Sequence, residues 1–160
     1  MMSRAHTPFE TLESHGYPTV RQISVFAENR CGQLLRITQL MEKKEVRVLS
    51  LSVLDSVDCA VVRLLTDDPD AAIDALRAAK FALSVSELVV VRVPARRRGL
   101  MTVWSALLSG EVNVAYAYPL LTESAGPVIA ICVDALEIAV EVLRAQRFEV
   151  LGEDHLRSGP

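Results

Sequence analysis

The chain has 160 residues, of which 51% are hydrophobic and 23% are charged, and this balance excludes an intrinsically disordered protein. Its net charge of −3 excludes the strongly basic surface that nucleic-acid binding requires. The length fits one medium domain or two small modules. Modules of about 70 residues have thin cores, so we expect them to pack on each other or on a second copy.

The first half of the chain reads as six elements that follow an irregular, polar N-terminal arm at residues 1–19. Alternating apolar residues indicate strands, apolar residues at spacings of three and four indicate a helix, and an acidic cap followed by proline indicates a helix start. In chain order, these patterns predict a strand over 22–27, a helix over 33–44, a strand over 46–54, a hairpin turn at 55–58, a strand over 59–66 and a helix from 67 to about 79.

The second half begins with an unusually long β-run at 83–93. This run is long enough to be the last strand of one module and the first strand of the next, which would join the modules without a linker. The patterns then predict a turn at 94–98, a helix over 100–108, a strand over 112–120, a hairpin loop at 119–126, a strand over 127–133, a helix from its cap Asp134 to about Ala145 and a strand over 148–151. The tail at 152–160 is expected to be frayed apart from 153–156.

The turn Asn29–Gly32 carries the strongest local signal. A strand, a glycine turn and a helix start leave free backbone N–H groups at one place, where a small anion can bind. The same arrangement returns 67 positions later, where Gly99 corresponds to Gly32. The run Arg96–Arg98 precedes the second glycine, and it is either a solvated loop or a site that attracts anions.

An internal repeat extends well beyond the two glycines. At the same offset, Asp67 matches Asp134, and LRAAKF at 76–81 matches LRAQRF at 143–148. Each copy has the order β-α-β-β-α-β. Right-handed crossovers convert that order into a four-stranded antiparallel sheet with two helices on one face. The sequence therefore predicts an α+β chain built from a duplicated ferredoxin-like module.

The chain offers few groups for metal or redox chemistry. Its three cysteines, Cys31, Cys59 and Cys132, are far apart and have no zinc-site spacing, which favours a reducing, cytoplasmic setting without a metal or cofactor. Cys31 lies in the first turn, where we expect its thiol to be exposed. The N-terminus lacks the apolar core of a signal peptide, and no apolar run approaches the ~20 residues of a membrane span.

In the order of these motifs, the sequence resembles a tandem ACT-domain protein over about Arg21 to Leu156. The resemblance rests on the strand QISVFAEN, the turn NRCGQLLRI, the strand starts EVRVLSLSV and GEVNVAYAY, and the helix starts DDPDAAIDAL and DALEIAVEVL. It implies two ACT modules, at 20–88 and 89–156, followed by a tail at 157–160. It also implies a non-catalytic regulatory protein, a homodimer, that binds an amino acid or a similar ligand between paired modules.

The resemblance also implies a set of binding residues. A backbone N–H group at a helix start holds the ligand carboxylate, and a side-chain carbonyl such as that of Asn29 or Asn113 accepts from the ammonium. Cys31 and Arg98 stand where the family often has proline, and Arg47 stands where it has asparagine, so the two sites differ. The expected ligand-binding residues are Asn29, Arg30, Cys31, Gly32, Gln33, Leu34 and Arg47 in the first copy, and Arg97, Arg98, Gly99, Leu100 and Asn113 in the second.

Other functions remain as alternatives. In one alternative, the chain is a ligand-free regulatory subunit that docks onto an amino-acid biosynthetic enzyme such as acetolactate synthase. In another, the glycines and asparagines of the two turns only shape those turns. Catalysis is disfavoured because the histidines, His6, His15 and His155, fall in the terminal segments. An RNA-binding module is disfavoured because the strand at 59–66 carries no aromatic residue for base stacking.

Overall fold

A computed structural model of the chain describes residues 16–55, 59–121 and 126–157. The predicted arm up to residue 15, the turn at 56–58, the loop at 122–125 and the tail from 158 lie outside the described residues. The elements are β1 (Val20–Ala27), α1 (Gln33–Lys43), β2 (Val48–Asp55), β3 (Ala60–Thr66), α2 (Pro69–Ala78), β4 (Ala82–Arg92), α3 (Gly99–Ser109), β5 (Val114–Pro119), β6 (Val128–Val133), α4 (Leu136–Ala145), β7 (Val150–Leu151) and α5 (Glu153–Arg157).

One strand, β4, belongs to both halves of the fold. Its residues 82–88 pair antiparallel with β1, and residues 89–92 pair antiparallel with β6, while β7 pairs with residues 90–91. The sheet therefore runs in the order β2-β3-β1-β4-β6-β5, with β7 also beside β4. This arrangement confirms the predicted α+β fold and the continuous strand that joins its two halves.

Helices α1 to α4 cover one face of the sheet, whereas Leu156 of α5 packs on the opposite face. Because side chains alternate along a strand, every second residue of β4 points to that face. Leu83 packs in the core of the first half with Ile37 of α1, whereas Val89 and Val91 pack in the core of the second half with Val103 of α3. Each pair of helices thus has its own core, and the two cores meet along β4.

The opposite face of the sheet curls onto itself. Residues from both halves form a third core there, including Leu49 and Leu65 from the first half and Val128 and Tyr118 from the second. The outer strands β2 and β5 also meet, because the Ser50 hydroxyl donates to the Pro119 carbonyl at 2.6 Å and the Leu121 amide donates to the Leu49 carbonyl at 2.8 Å. We call this contact region the inner seam.

Gln22 is the polar centre of the inner seam and is only 1% exposed. Its Nε2 donates to the Tyr116 hydroxyl at 2.8 Å and to Ser86 Oγ at 3.2 Å, and its Oε1 accepts from the Tyr118 hydroxyl at 2.6 Å. The Arg63 guanidinium lies 3.7 Å from the centroid of the Tyr116 ring. A buried amide is stable only when its polar atoms are satisfied, and here two halves of the chain satisfy it together.

The internal repeat is visible in the backbone. The left-handed residues Glu45 and Lys80, with φ of 56° and 63°, recur as Glu111 and Arg147, with φ of 54° and 64°. A register shift follows Val48 in β2 and recurs after Val114 in β5. The first part of each copy is offset by 66 residues and the later part by 67. Sequence matching therefore placed the second turn one residue too late, because Arg98, not Gly99, occupies the N-cap position of Gly32.

One further local prediction is wrong. Asp134 does not cap α4, because the N-cap of that helix is Ala135, which makes no side-chain hydrogen bond. The Asp134 carboxylate instead accepts from the Asn113 backbone amide at 3.0 Å. After Gly152, the segment 153–156, which the sequence excepts from fraying, lies in α5. Arg21 holds that helix, because its Nε and its backbone amide both donate to Glu153 Oε1, at 2.7 and 3.0 Å.

Candidate ligand-binding turns

The first turn joins β1 to α1 and needs glycine at position 32. Gly32 has φ of 89°, a conformation that residues with a Cβ rarely adopt, and it forms the N-cap without any side-chain hydrogen bond. The first intrahelical bond runs from the Arg36 amide to the Gly32 carbonyl at 2.9 Å. The amides of Leu34 and Leu35 thus lie at the open end of the helix, and no described residue accepts from them.

A cavity of ≈ 240 Å³ lies beside this turn. The end of β2 forms its other wall, where Asp55 Oδ1 accepts from Asn29 Nδ2 at 2.9 Å. The side-chain carbonyl of Gln33 is buried and has no hydrogen-bond partner within the described part of the chain. Gln33, Leu34 and Asp55 therefore all line one small space. Its lining consists of residues 27–34 with Val53, Asp55, Ala60 and Val62.

The second turn joins β4 to α3 and uses glycine for a different reason. Gly99 is buried in the first turn of α3, and a Cβ at this position would overlap the carbonyl oxygen of Pro94. The Gly99 amide donates to the Arg96 carbonyl at 2.9 Å, which closes the turn. The Thr102 hydroxyl donates to the Gly99 carbonyl at 2.7 Å. Close packing of backbone on backbone, not a left-handed conformation, requires this glycine.

Two cavities flank the second turn. One of ≈ 550 Å³ extends from the turn towards Pro119, Pro127 and Ile129. The other, of ≈ 690 Å³, extends towards Arg147 and Phe148, which follow α4. Arg96, Arg97 and Arg98 line both cavities and are exposed. The turn is thus strongly positive in a chain whose net charge is −3.

The structure brings most of the predicted residues together, but not all of them. Asn29 to Leu34 share the first cavity, and Arg97 to Leu100 share the second turn. Arg47 and Asn113 line none of these cavities. Arg47 precedes β2, at the strand end opposite to Asp55, and its backbone amide donates to the Asp67 carboxylate at 2.8 Å.

Sequence reasoning missed several residues that line the cavities. Asp55 reaches the first turn because β2 ends beside β1, and this follows from hairpin register rather than from any motif. Arg147 and Phe148 reach the second turn because α4 ends there. The matched segments at 76–81 and 143–148 contain the signal for them, since both carry a cation followed by phenylalanine.

Each cavity is lined by residues of one half of the chain only. The expected position between paired modules is therefore not found inside this single chain, where the two halves meet instead at the inner seam. A second copy of the chain would be needed to place either turn at a boundary between modules.

Within the described ranges, no group of three or more histidine, cysteine or acidic residues could hold a metal ion. Among the described helices, none combines the length and the apolar character that crossing a membrane requires.

Comparisons with known proteins agree with this architecture. A family model described as an ACT domain pair matches residues 18–158. Protein BT0572 from Bacteroides thetaiotaomicron has a similar solved structure, with a TM-score of 0.82 and 24% identity over 89% of this chain and 99% of that one. The ligand-free regulatory subunit of aspartate kinase from Thermus thermophilus has a TM-score of 0.56 and 13% identity, over 81% and 92% of the two chains. No curated protein gives a significant match.

Proposed function

The chain belongs to the family of ACT domain pairs, and we propose that it is a non-catalytic regulatory protein that binds a free amino acid. The first turn is the principal site in this proposal. The observation that carries it is that Gln33, whose buried side-chain carbonyl has no partner among the described residues, lines the same small cavity as Leu34, whose amide is free at the start of α1. Both kinds of group are needed to hold a molecule that is cationic at one end and anionic at the other.

The chemistry of an amino acid matches the two sides of this cavity. Its carboxylate would accept from the Leu34 and Leu35 amides, at the positive end of the α1 dipole. Its ammonium would donate to Gln33 Oε1 and to the Asp55 carboxylate. A space of ≈ 240 Å³ is smaller than the ~300–1,000 Å³ of sites for drug-sized ligands, which favours a ligand with few heavy atoms.

We further propose that the protein is a cytoplasmic homodimer. An incomplete cavity at each turn and several exposed apolar residues on α3, including Met101 at 51% and Leu108 at 75% exposure, support a second copy. The same exposed residues favour the second candidate, in which the chain binds no ligand and docks on a biosynthetic enzyme such as acetolactate synthase. A solved relative by fold is named as a regulatory subunit of aspartate kinase, which supports this class of partner.

A thermal-shift screen over the twenty amino acids tests the proposal. A ligand at one hundred times its dissociation constant should stabilise the protein by about 2.7 kcal/mol. Asp55→Asn should weaken binding, because it removes the charge that faces the ammonium, and Asp74→Asn on the exposed face of α2 is the matched control. Gln33→Leu tests the carbonyl separately.

The outcomes separate the two candidates. A wild-type protein that no amino acid stabilises would favour the docking subunit. Gly32→Val should abolish the shift if the first turn binds the ligand, and Gly99→Val should abolish it if the second turn does. A shift that survives Gly32→Val, Gly99→Val and Asp55→Asn alike would place the site away from both turns.

A further inference from the structure

The duplicated halves of the chain differ at one place in a way that indicates a ligand. The elements superimpose in register, because α1 starts at Gln33 and α3 starts at Gly99. Arg36 therefore corresponds to Thr102. After the second helix of each half, the left-handed Lys80 corresponds to Arg147, and the phenylalanine that follows each of them is conserved between the copies as Phe81 and Phe148.

In the first half, the exposed Arg36 of α1 lies over this phenylalanine. The Arg36 guanidinium lies 4.8 Å from the centroid of the Phe81 ring. Its Nη2 donates to the Ala79 carbonyl at 3.3 Å. The planar guanidinium of Arg36 thus packs on the Phe81 ring and donates a hydrogen bond beside it.

In the second half, Thr102 occupies the position of that arginine. Thr102 is too short to reach Phe148, and its hydroxyl is occupied by the Gly99 carbonyl. What remains is the cavity of ≈ 690 Å³, with the half-buried Phe148 in its wall. This volume lies within the ~300–1,000 Å³ range of small-molecule and cofactor sites.

The rim of this cavity is positively charged. Arg96, Arg97, Arg98 and Arg147 line it, and none of the four forms an ion pair with any acidic side chain in residues 16–55, 59–121 or 126–157. Glu149, the acidic residue next along the chain, is held by Arg92 at 2.7 Å. Guanidinium groups bind phosphate in a bidentate manner, which makes such a rim suited to a phosphorylated ligand.

We propose that this cavity binds a phosphorylated molecule with a planar ring, of the mononucleotide class. The ring stacks on Phe148, where Arg36 stacks on Phe81 in the other half, and the phosphates bind the arginines of the rim. The inference deepens the proposed function by giving the second turn its own ligand, so that the two turns sense different molecules. It rests on that function only in taking the second turn as a binding site.

Isothermal titration calorimetry of the full chain with ATP tests the proposal. ATP should bind, and adenosine and inorganic pyrophosphate should each bind at least about tenfold more weakly, because each lacks one half of the recognition. Arg147→Ala should weaken ATP binding by about tenfold. Lys80→Ala, which removes the corresponding cation of the first half, is the matched control and should leave binding unchanged.

A second variant tests the geometry without removing charge. Thr102→Arg should reproduce the stacking of Arg36, cover the Phe148 ring and abolish ATP binding, while circular dichroism stays as in the wild type. The proposal is overturned if wild-type protein does not bind ATP, if adenosine or pyrophosphate binds as well as ATP, or if Thr102→Arg and Arg147→Ala both bind it normally.

Amino-acid titrations on the same samples separate this inference from the proposed function. Thr102→Arg leaves the first turn intact, so stabilisation by an amino acid there should persist. Binding of an amino acid without ATP would sink the nucleotide site alone. Binding of ATP without any amino acid would sink the amino-acid proposal alone and leave the nucleotide site standing.

Discussion

Gly32 precedes α1 and Gly99 is the first residue of α3, yet the backbone needs glycine at each for a different reason. Gly32 has nothing within 4 Å of an added Cβ, so alanine there meets only the strain of φ at 89°, about 1–2 kcal/mol. At Gly99 the added Cβ meets the Pro94 carbonyl, so the backbone must move. We expect Gly99→Ala to lower the free energy of unfolding more than Gly32→Ala does, as measured by urea denaturation.

Asparagine provides the control for these two variants, because it tolerates left-handed φ better than alanine does. Gly32→Asn should recover part of the stability that Gly32→Ala loses, whereas Gly99→Asn should recover none. Equal losses for both alanine variants, or recovery at both positions, would show that the two turns do not differ as the structure indicates.

Tyr118 of the inner seam should make the free energy of unfolding depend on pH in the alkaline range. Burial, and then the neighbouring Tyr116, raise the pKa of Tyr118 above its ordinary value near 10. A group whose pKa is raised in the folded state binds its proton more tightly there. Its contribution to the free energy of unfolding is therefore complete below pH 10 and is lost as the pH rises towards the folded pKa. The free energy of unfolding should therefore fall above about pH 10.

Tyr118→Phe should reduce that fall, because it removes one of the groups that must ionise. The variant should also be less stable at pH 7, by about 1–3 kcal/mol, since Gln22 Oε1 loses its donor. Tyr17→Phe serves as the tyrosine control outside the seam. Urea denaturation at pH 7 and pH 10.5 measures both effects, and an unchanged alkaline loss in Tyr118→Phe would rule out this role.

At the scale of secondary structure, the sequence predicted the elements that periodicity controls. The unusual length of the β-run at 83–93 was enough to predict β4 and its double use, and β4 extends over Ala82–Arg92. The offset of the repeat was harder, because identical glycines suggested 67 residues where the helix starts differ by 66. An identical residue is a weaker guide to which positions of the two copies correspond than the buried face of a helix is. On that face, Ile37 of α1 corresponds to Val103 of α3.

Elements and sites fixed by distant contacts could not be predicted in this way. The five residues of α5 carry no periodic signal, and tertiary contacts hold the helix, through Arg21 on Glu153 and through the buried Leu156. The candidate site divides similarly. The turn residues follow from local sequence, whereas Asp55 and Phe148 enter the cavities through strand register and helix length.

At the scale of the whole molecule, the two halves are joined more closely than two domains that are connected only by a linker. They share β4, and they bury a common core at the inner seam with Gln22 as its hydrogen-bonded centre. Removing either half would expose this core and leave part of β4 without partners. Separate domains can unfold independently, but these halves should unfold together.

The only tryptophan, Trp104, lies on α3 in the second half and allows this to be tested. Ile37→Ala removes a fully buried side chain from the first half and should destabilise it by about 2–5 kcal/mol. If folding is cooperative, the urea midpoint followed by Trp104 fluorescence shifts by as much as the midpoint followed by far-UV circular dichroism. Val103→Ala, at the corresponding buried position, should shift both probes alike. A Trp104 transition that stays at the wild-type midpoint in Ile37→Ala would mean that each half folds alone, in spite of the strand and the core that they share.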